Sequence, residues 1–162
     1  MRWTAIAVLA LAATGCNRMQ WDYLGADHRS SWSDGQRRVE VASSGEIEFS
    51  DDETDVQGLS EGGFLVVQES RWLSERRVEF SPGPGGGVKR EFWRNGRRRE
   101  WDEETRSWVA RLLPELQQRT SIGARSRAQR IVRERGPDGL LAEIPRLKGE
   151  PAKRVYFDEL FQ

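Results

Sequence analysis

Few residues in this chain have the type and spacing for chemistry. There is one cysteine, Cys16, and one histidine, His28, so neither a histidine metal cluster nor a nucleophile–histidine–acid site can be assembled within a rigid frame around them. The richest carboxylate group is Asp51, Asp52, Glu53 and Asp55, interrupted by Thr54. It lacks the glycine and the alternating oxygen spacing of a calcium loop, and reads as an acidic turn. A carboxylate-dependent hydrolase of envelope polymers, with this segment as its acid group, is the alternative reading. Arg125, Arg127, Arg130, Arg133 and Arg135 crowd one stretch whose spacing would place Arg127 and Arg130 near each other on a helix. Such a face would suit an acidic partner or anionic headgroups. The glycine-rich run at residues 83–87 has no Lys-Ser/Thr pair and no helix after it, so it is a connector and not a phosphate cradle. No cofactor or metal is expected.

Cys16 gains meaning from what precedes it. The Met1 amine and Arg2 lead into Ala5, Ile6, Ala7, Val8, Leu9, Ala10, Leu11, Ala12 and Ala13, an apolar run of signal-peptide length and too short for a stable membrane span. Small residues follow, then the cysteine. This resembles the bacterial lipobox, with Ala13 where leucine is more usual. The resemblance implies a diacylglyceryl thioether on Cys16, cleavage just before it, and acylation of the new amine. Two or three acyl chains hold a protein firmly where one does so only marginally. Asn17, rather than aspartate, follows the cysteine, so outer-membrane sorting is expected within the cell envelope. An exported chain with no second cysteine has no internal disulfide and relies on its core.

Charge is balanced at 26 basic and 26 acidic residues, which argues against a nucleic-acid binder. The elements that must carry these groups fall into two kinds. Residues 17–36 are polar and without sustained period, and read with Cys16 as a tether (16–36) in which Trp21, Tyr23 or Trp32 could dock. Alternating apolar and polar positions then predict strands around Val39 and Val41, Ile47 and Phe49, Phe64 to Gln68, Val78 and Phe80, and Phe92 and Trp93. Ser43, Ser44 and Gly45 suggest a tight hairpin between the first two, and Asn95-Gly96 a hairpin with both central residues at positive φ. From Trp101 the period changes: Trp108, Val109, Leu112, Leu113 and Leu116 form one helical stripe, which Pro114 should kink or divide. Ala124, Ala128, Ile131 and Val132 start a second face that ends at Gly136-Pro137. Leu140, Leu141, Ile144 and Leu147 follow, and Pro151 opens a last helix. Trp93, Trp101 and Trp108 bracket the period change and are expected to meet where sheet and helices join. Trp72, between Arg71 and Leu73 in a turn, is the aromatic left for an interface.

The run RRVEFSPGPGGGVKREFWRNGRRREWDEE and the helical sequence after it resemble, from Phe64 to the end, a segment of uncharacterised bacterial envelope proteins. Some of these are adhesin-like or associated with metallopeptidase sensors. The resemblance implies a β part ending in a hairpin, a tryptophan-bearing helix and a short helical array, and it carries no catalytic residues.

The expectation is an α+β chain: a signal peptide (1–15), a lipidated tether (16–36), a small antiparallel β part (37–101) and an array of short α-helices (102–162). Its expected role is a noncatalytic binding or scaffolding lipoprotein, contacting the membrane through Cys16 and an envelope protein through Arg125, Arg127, Arg130 and Trp72. Cys16→Ala should leave an uncleaved precursor that takes up no radiolabelled palmitate in a bacterial host; undiminished labelling would refute the lipobox.

Overall fold

The structure, a computed structural model, describes residues 25–161; Cys16 and the signal-like run lie outside them. Eight strands and three helices follow in order: β1 (His28–Asp34), β2 (Arg37–Ser44), β3 (Ile47–Phe49), β4 (Val56–Leu59), β5 (Phe64–Arg71), β6 (Ser74–Pro82), β7 (Val88–Arg94), β8 (Arg97–Arg99), α1 (Glu103–Arg119), α2 (Ala124–Glu143) and α3 (Glu150–Leu160). Six strands form an antiparallel meander in the order β1-β2-β5-β6-β7-β8, and β3 and β4 pair separately as an inserted hairpin. The chain is therefore α+β.

Alternation decides which side chains meet. Register places Val41, Val67, Val78 and Phe92 in one row across β2, β5, β6 and β7, with Leu65 beside Phe80 in the next. Onto this face α1 lays Trp108, Val109, Leu112, Leu113 and Leu116, and the two sets bury each other as one core. Asp102 starts the helix by accepting the Thr105 amide at 2.8 Å, with Glu103 and Glu104 in the first turn, where the helix dipole favours acids. Pro114 does not divide α1, which runs unbroken through it. A lost helical hydrogen bond and ring clash cost about 3 kcal/mol. Burial of a leucine side chain contributes about 1.5–3 kcal/mol, and Leu112, Leu113 and Leu116 flank the proline on the buried stripe.

The opposite face of the sheet carries a ladder of opposite charges: Arg38 to Glu40 at 2.8 Å, Arg77 to Glu79 at 2.8 Å, Lys89 to Glu91 at 2.8 Å and Arg98 to Glu91 at 2.7 Å. Ala42 and Val66 are paired within this face and are buried nonetheless; long charged side chains cover apolar surface with their stems. Trp93 belongs here, under the Arg77 guanidinium at 4.9 Å. It therefore does not join Trp101 and Trp108, which reach the core through Phe80 and Phe92. Neighbouring residues on a strand point to opposite faces, and Phe92 took the inner one.

Two further expectations change. Part of the expected tether is strand β1, whose Trp32 packs on the core. Its serine-rich sequence shows little period because backbone pairing with β2 holds it. The turn at Gly45 does not make a hairpin of β2 and β3, since both edges of β2 are taken, by β1 and β5. β3 instead pairs with β4, which has apolar residues only at its ends. Helix α1 shares the sheet's core, while α2 and α3 form a second one around Ala128, Leu140 and Tyr156. The hairpin at Asn95-Gly96 has φ of 51° and 72°, as its turn type requires. α2 is broken at Gly136, with φ 70°.

The second core is fastened to the first where Lys148 and Gly149 donate their amides to the Gln118 carbonyl at 2.8 and 3.0 Å. A Cβ on Gly149 would overlap the Arg119 carbonyl. Gly149→Ala should therefore lower stability by about 1–3 kcal/mol, the usual cost of overpacking, measured by urea unfolding, whereas Gly87→Ala, which meets only ordinary van der Waals contact, should change it little.

Candidate functional site

The arginines singled out in the sequence do not form one free basic face. Arg125 is exposed and approaches Glu159 at 3.5 Å. Arg127 keeps only 13% of its side chain exposed, with Nε 2.6 Å from Glu53 and Nη2 3.9 Å from Glu143. Arg130 donates to the Asp51 carbonyl at 2.8 Å and to Glu53 at 3.2 Å. Together they clamp the 51–55 turn onto α2. Glu53, at φ 63°, adopts a left-handed backbone uncommon for such a residue, and the two arginines fix it there. Glu143 also accepts from Arg135 at 3.0 Å and Arg146 at 2.8 Å. The Tyr156 hydroxyl is buried beside this cluster. Burial pushes it up to about 12, with Arg127 opposing and Glu53 and Glu143 reinforcing.

The carboxylates of residues 51–55 serve the same turn. Asp52 accepts from the Ser50 hydroxyl at 2.6 Å and the Thr54 hydroxyl at 2.8 Å, which hold it below the usual carboxylate range. Asp55 is gripped by Arg90 at 2.7 and 3.1 Å. A general acid needs its pKa raised towards the working pH, and Asp52 is shifted the other way. Among the described residues no group of three or more histidine, cysteine, aspartate or glutamate residues is placed to hold a metal ion.

The more open arrangement lies at the other end of the sheet, where the 35–36, 72–73 and 95–96 turns gather. Arg37 on β2 reaches across the inner face to Glu69 of β5 at 2.6 Å and to Glu115 of α1 at 2.8 Å. Glu115 also accepts from Trp32 at 2.9 Å and Arg119 at 3.0 Å, and Arg71 joins Glu69 at 3.1 Å. Glu69 keeps only 6% of its side chain exposed. Burial alone would raise its pKa, but the hydrogen bond and charge of Arg37, with Arg71, outweigh burial and hold it below the ordinary glutamate range. Burial opposes the charge of Arg37 too, and the two carboxylates overcome it and raise its pKa. Beside this group is a cleft of about 350 Å³, lined by Arg37, Arg71, Arg76, Trp108, Arg111 and Glu115 among others. Arg111 is exposed and makes no ion pair among the described residues.

At the lip of the cleft stand Trp72 and Leu73, 89% and 84% exposed. They form the two-residue turn between β5 and β6, and neither has positive φ. Two-residue hairpin turns favour asparagine, aspartate or glycine at positive φ, as at Asn95-Gly96. Large apolar residues here serve neither the turn nor the core. Apolar side chains this exposed, required by neither turn nor core, are surface available for contact.

Of the residues expected to touch a partner, the structure thus leaves Trp72 fully presented and Arg125 exposed, and places Arg127 and Arg130 within the fold. Sequence reasoning missed Leu73, Arg37, Glu69, Glu115 and Arg111. An acid at the inward register position after Leu65 and Val67 was the legible sign of a buried pair at Glu69; nothing local marked its partners.

Arg37→Met leaves Glu69 and Glu115 without their shared cation and should cost about 3 kcal/mol, the low end for breaking a buried pair. A depressed carboxyl stabilises the fold above its unfolded value, about 4.3, and loses that contribution as pH falls through its folded pKa. Urea midpoints followed from neutral pH downward should therefore fall in the wild type mainly below pH about 4.3, and fall less over the same range in the Arg37→Met protein, where Arg71 alone is left to oppose the burial of Glu69. Compared with known family models, curated proteins and solved structures, the chain shows no match.

Proposed function

We propose that this chain is a lipid-anchored, noncatalytic binding or scaffolding module of the bacterial cell envelope, held through Cys16, which makes contact with the turn end of its sheet. One observation carries the reading: Trp72 and Leu73 stand almost fully in solvent on a turn whose backbone asks for neither. Tryptophan and arginine dominate binding energy at contact surfaces, and Arg71 and Arg111 flank this tip. Support for export comes from the lipobox-like sequence ending at Cys16. Arg125 remains available at the far side of α2, while Arg127 and Arg130 contribute to the fold that presents the tip and are not themselves the contact.

The test places a photoreactive benzophenone at position 72 of the full chain, or at Glu61 in the turn at the opposite end of β5, and irradiates cell envelopes. Adducts with an envelope component are expected from position 72 and not from 61. Trp72→Ser combined with Leu73→Ser should keep stability within about 0.5 kcal/mol, as exposed substitutions do, and lose whatever association the wild type shows. Equal yields from both positions, or none from 72, would refute the reading.

A further inference from the structure

We propose that Trp72 and Leu73 enter the headgroup layer of a bilayer containing anionic lipid, so that the folded domain touches the membrane with the turn end of its sheet. This rests on the reading of that end as the contact surface and names what it contacts.

Of the three turns gathered there, 35–36 is Gly-Gln and 95–96 is Asn-Gly, both small and polar. Trp72 and Leu73 form the one apolar turn among them, a convex finger of an aromatic and an aliphatic side chain. Tryptophan settles at the membrane interface because its ring is apolar and its N–H is polar. The rim is cationic. Arg71 keeps 59% of its side chain exposed, and Arg97 and Arg111 are exposed with no ion pair among the described residues. The carboxylates of the same end are already engaged: Glu69 and Glu115 by Arg37, Asp34 by Arg37, Glu104 by Arg76 and Arg94, and Glu75 by the Gln68 amide. Exposed guanidinium groups beside an apolar tip complement anionic phosphates above acyl chains. The adjoining cleft, about 350 Å³, is lined by Arg37, Arg71, Arg76 and Arg111 against Glu69 and Glu115, an excess of positive charge that suits a phosphate headgroup.

The anchor permits this orientation. β1 spans seven residues, about 23 Å at 3.3 Å per residue, and the chain enters it at the end remote from the tip. Residues 17–27 separate Cys16 from β1 and can reach at most about 37 Å. A lipid on Cys16 and the Trp72 tip can therefore meet one bilayer. The tip would then supply the additional membrane signal that orients an anchored domain.

The test uses the full chain with Leu73→p-benzoylphenylalanine or, as control, Glu61→p-benzoylphenylalanine, mixed with vesicles of phosphatidylglycerol and phosphatidylethanolamine or of phosphatidylcholine alone. Lipid adducts are expected at 73 in the anionic vesicles, with few at 61 and few in phosphatidylcholine. Arg97→Glu together with Arg111→Glu should cut the yield by roughly tenfold or more, since each basic residue near an anionic surface is worth about fivefold. Equal yields at 73 and 61, or a yield indifferent to lipid charge, would overturn the inference. If 73 takes no lipid in vesicles but cross-links a protein in envelopes, the bilayer is the wrong partner while the binding surface stands.

Discussion

A single guanidinium joins three elements that are remote in sequence. Arg37 lies on β2, Glu69 on β5 and Glu115 on α1, and the last two would be buried or half-buried charges without it. Breaking such a pair is costly because the remaining charge cannot be solvated. The clamp therefore allows one register between β2 and β5 and one seating of α1, the register in which Val41, Val67, Val78 and Phe92 face Trp108 and Leu112. A slip by one residue would turn the whole apolar set outward and part these ions at the same time. Hydrophobic burial supplies the stabilisation, and the ion pairs select which burial is allowed.

The same device recurs at the opposite end. Arg127 and Arg130 hold Glu53, and Arg90 holds Asp55, so the inserted β3 and β4 hairpin is tied to both the sheet and α2. Gly123, against the Phe49 ring, and Gly149, against the Arg119 backbone, bring the second core close enough for these contacts. Much of the chain's high charge content is thus internal wiring. At the turn end, Arg97 and Arg111, exposed and without an ion pair among the described residues, and the apolar Trp72 and Leu73 are surface that the fold does not use.

The fold was legible where local chemistry and tertiary position agree. Alternation around Val67 and Phe80, the asparagine-glycine turn, the acidic start of α1 and the break at Gly136 all state their conformation in a few residues. Pro114 does not divide its helix because burial on either side of it outweighs its local cost, and β1 and β4 were obscure because their pairing partners, not their own apolar residues, make them strands. At the candidate site Trp72 was legible as an aromatic in a turn. The arginine run around Arg127 suggested a free surface because spacing reports which residues share a helix face, and not that Glu53, on a distant loop, comes to meet them.

The central claim is that the tip is a rigid presentation, with Trp72 and Leu73 exposed at the end of a fully formed hairpin that the Arg37 clamp secures. Native-state hydrogen exchange of the β5 and β6 amides measures this directly. The account predicts that the ladder-bonded amides between residues 68 and 77 exchange only through opening nearly as costly as global unfolding, like those near Val66 and Val78. Exchange at 68–77 through fraying far below the global free energy would show that the exposed tryptophan and leucine sit on a loosened end, and would contradict it.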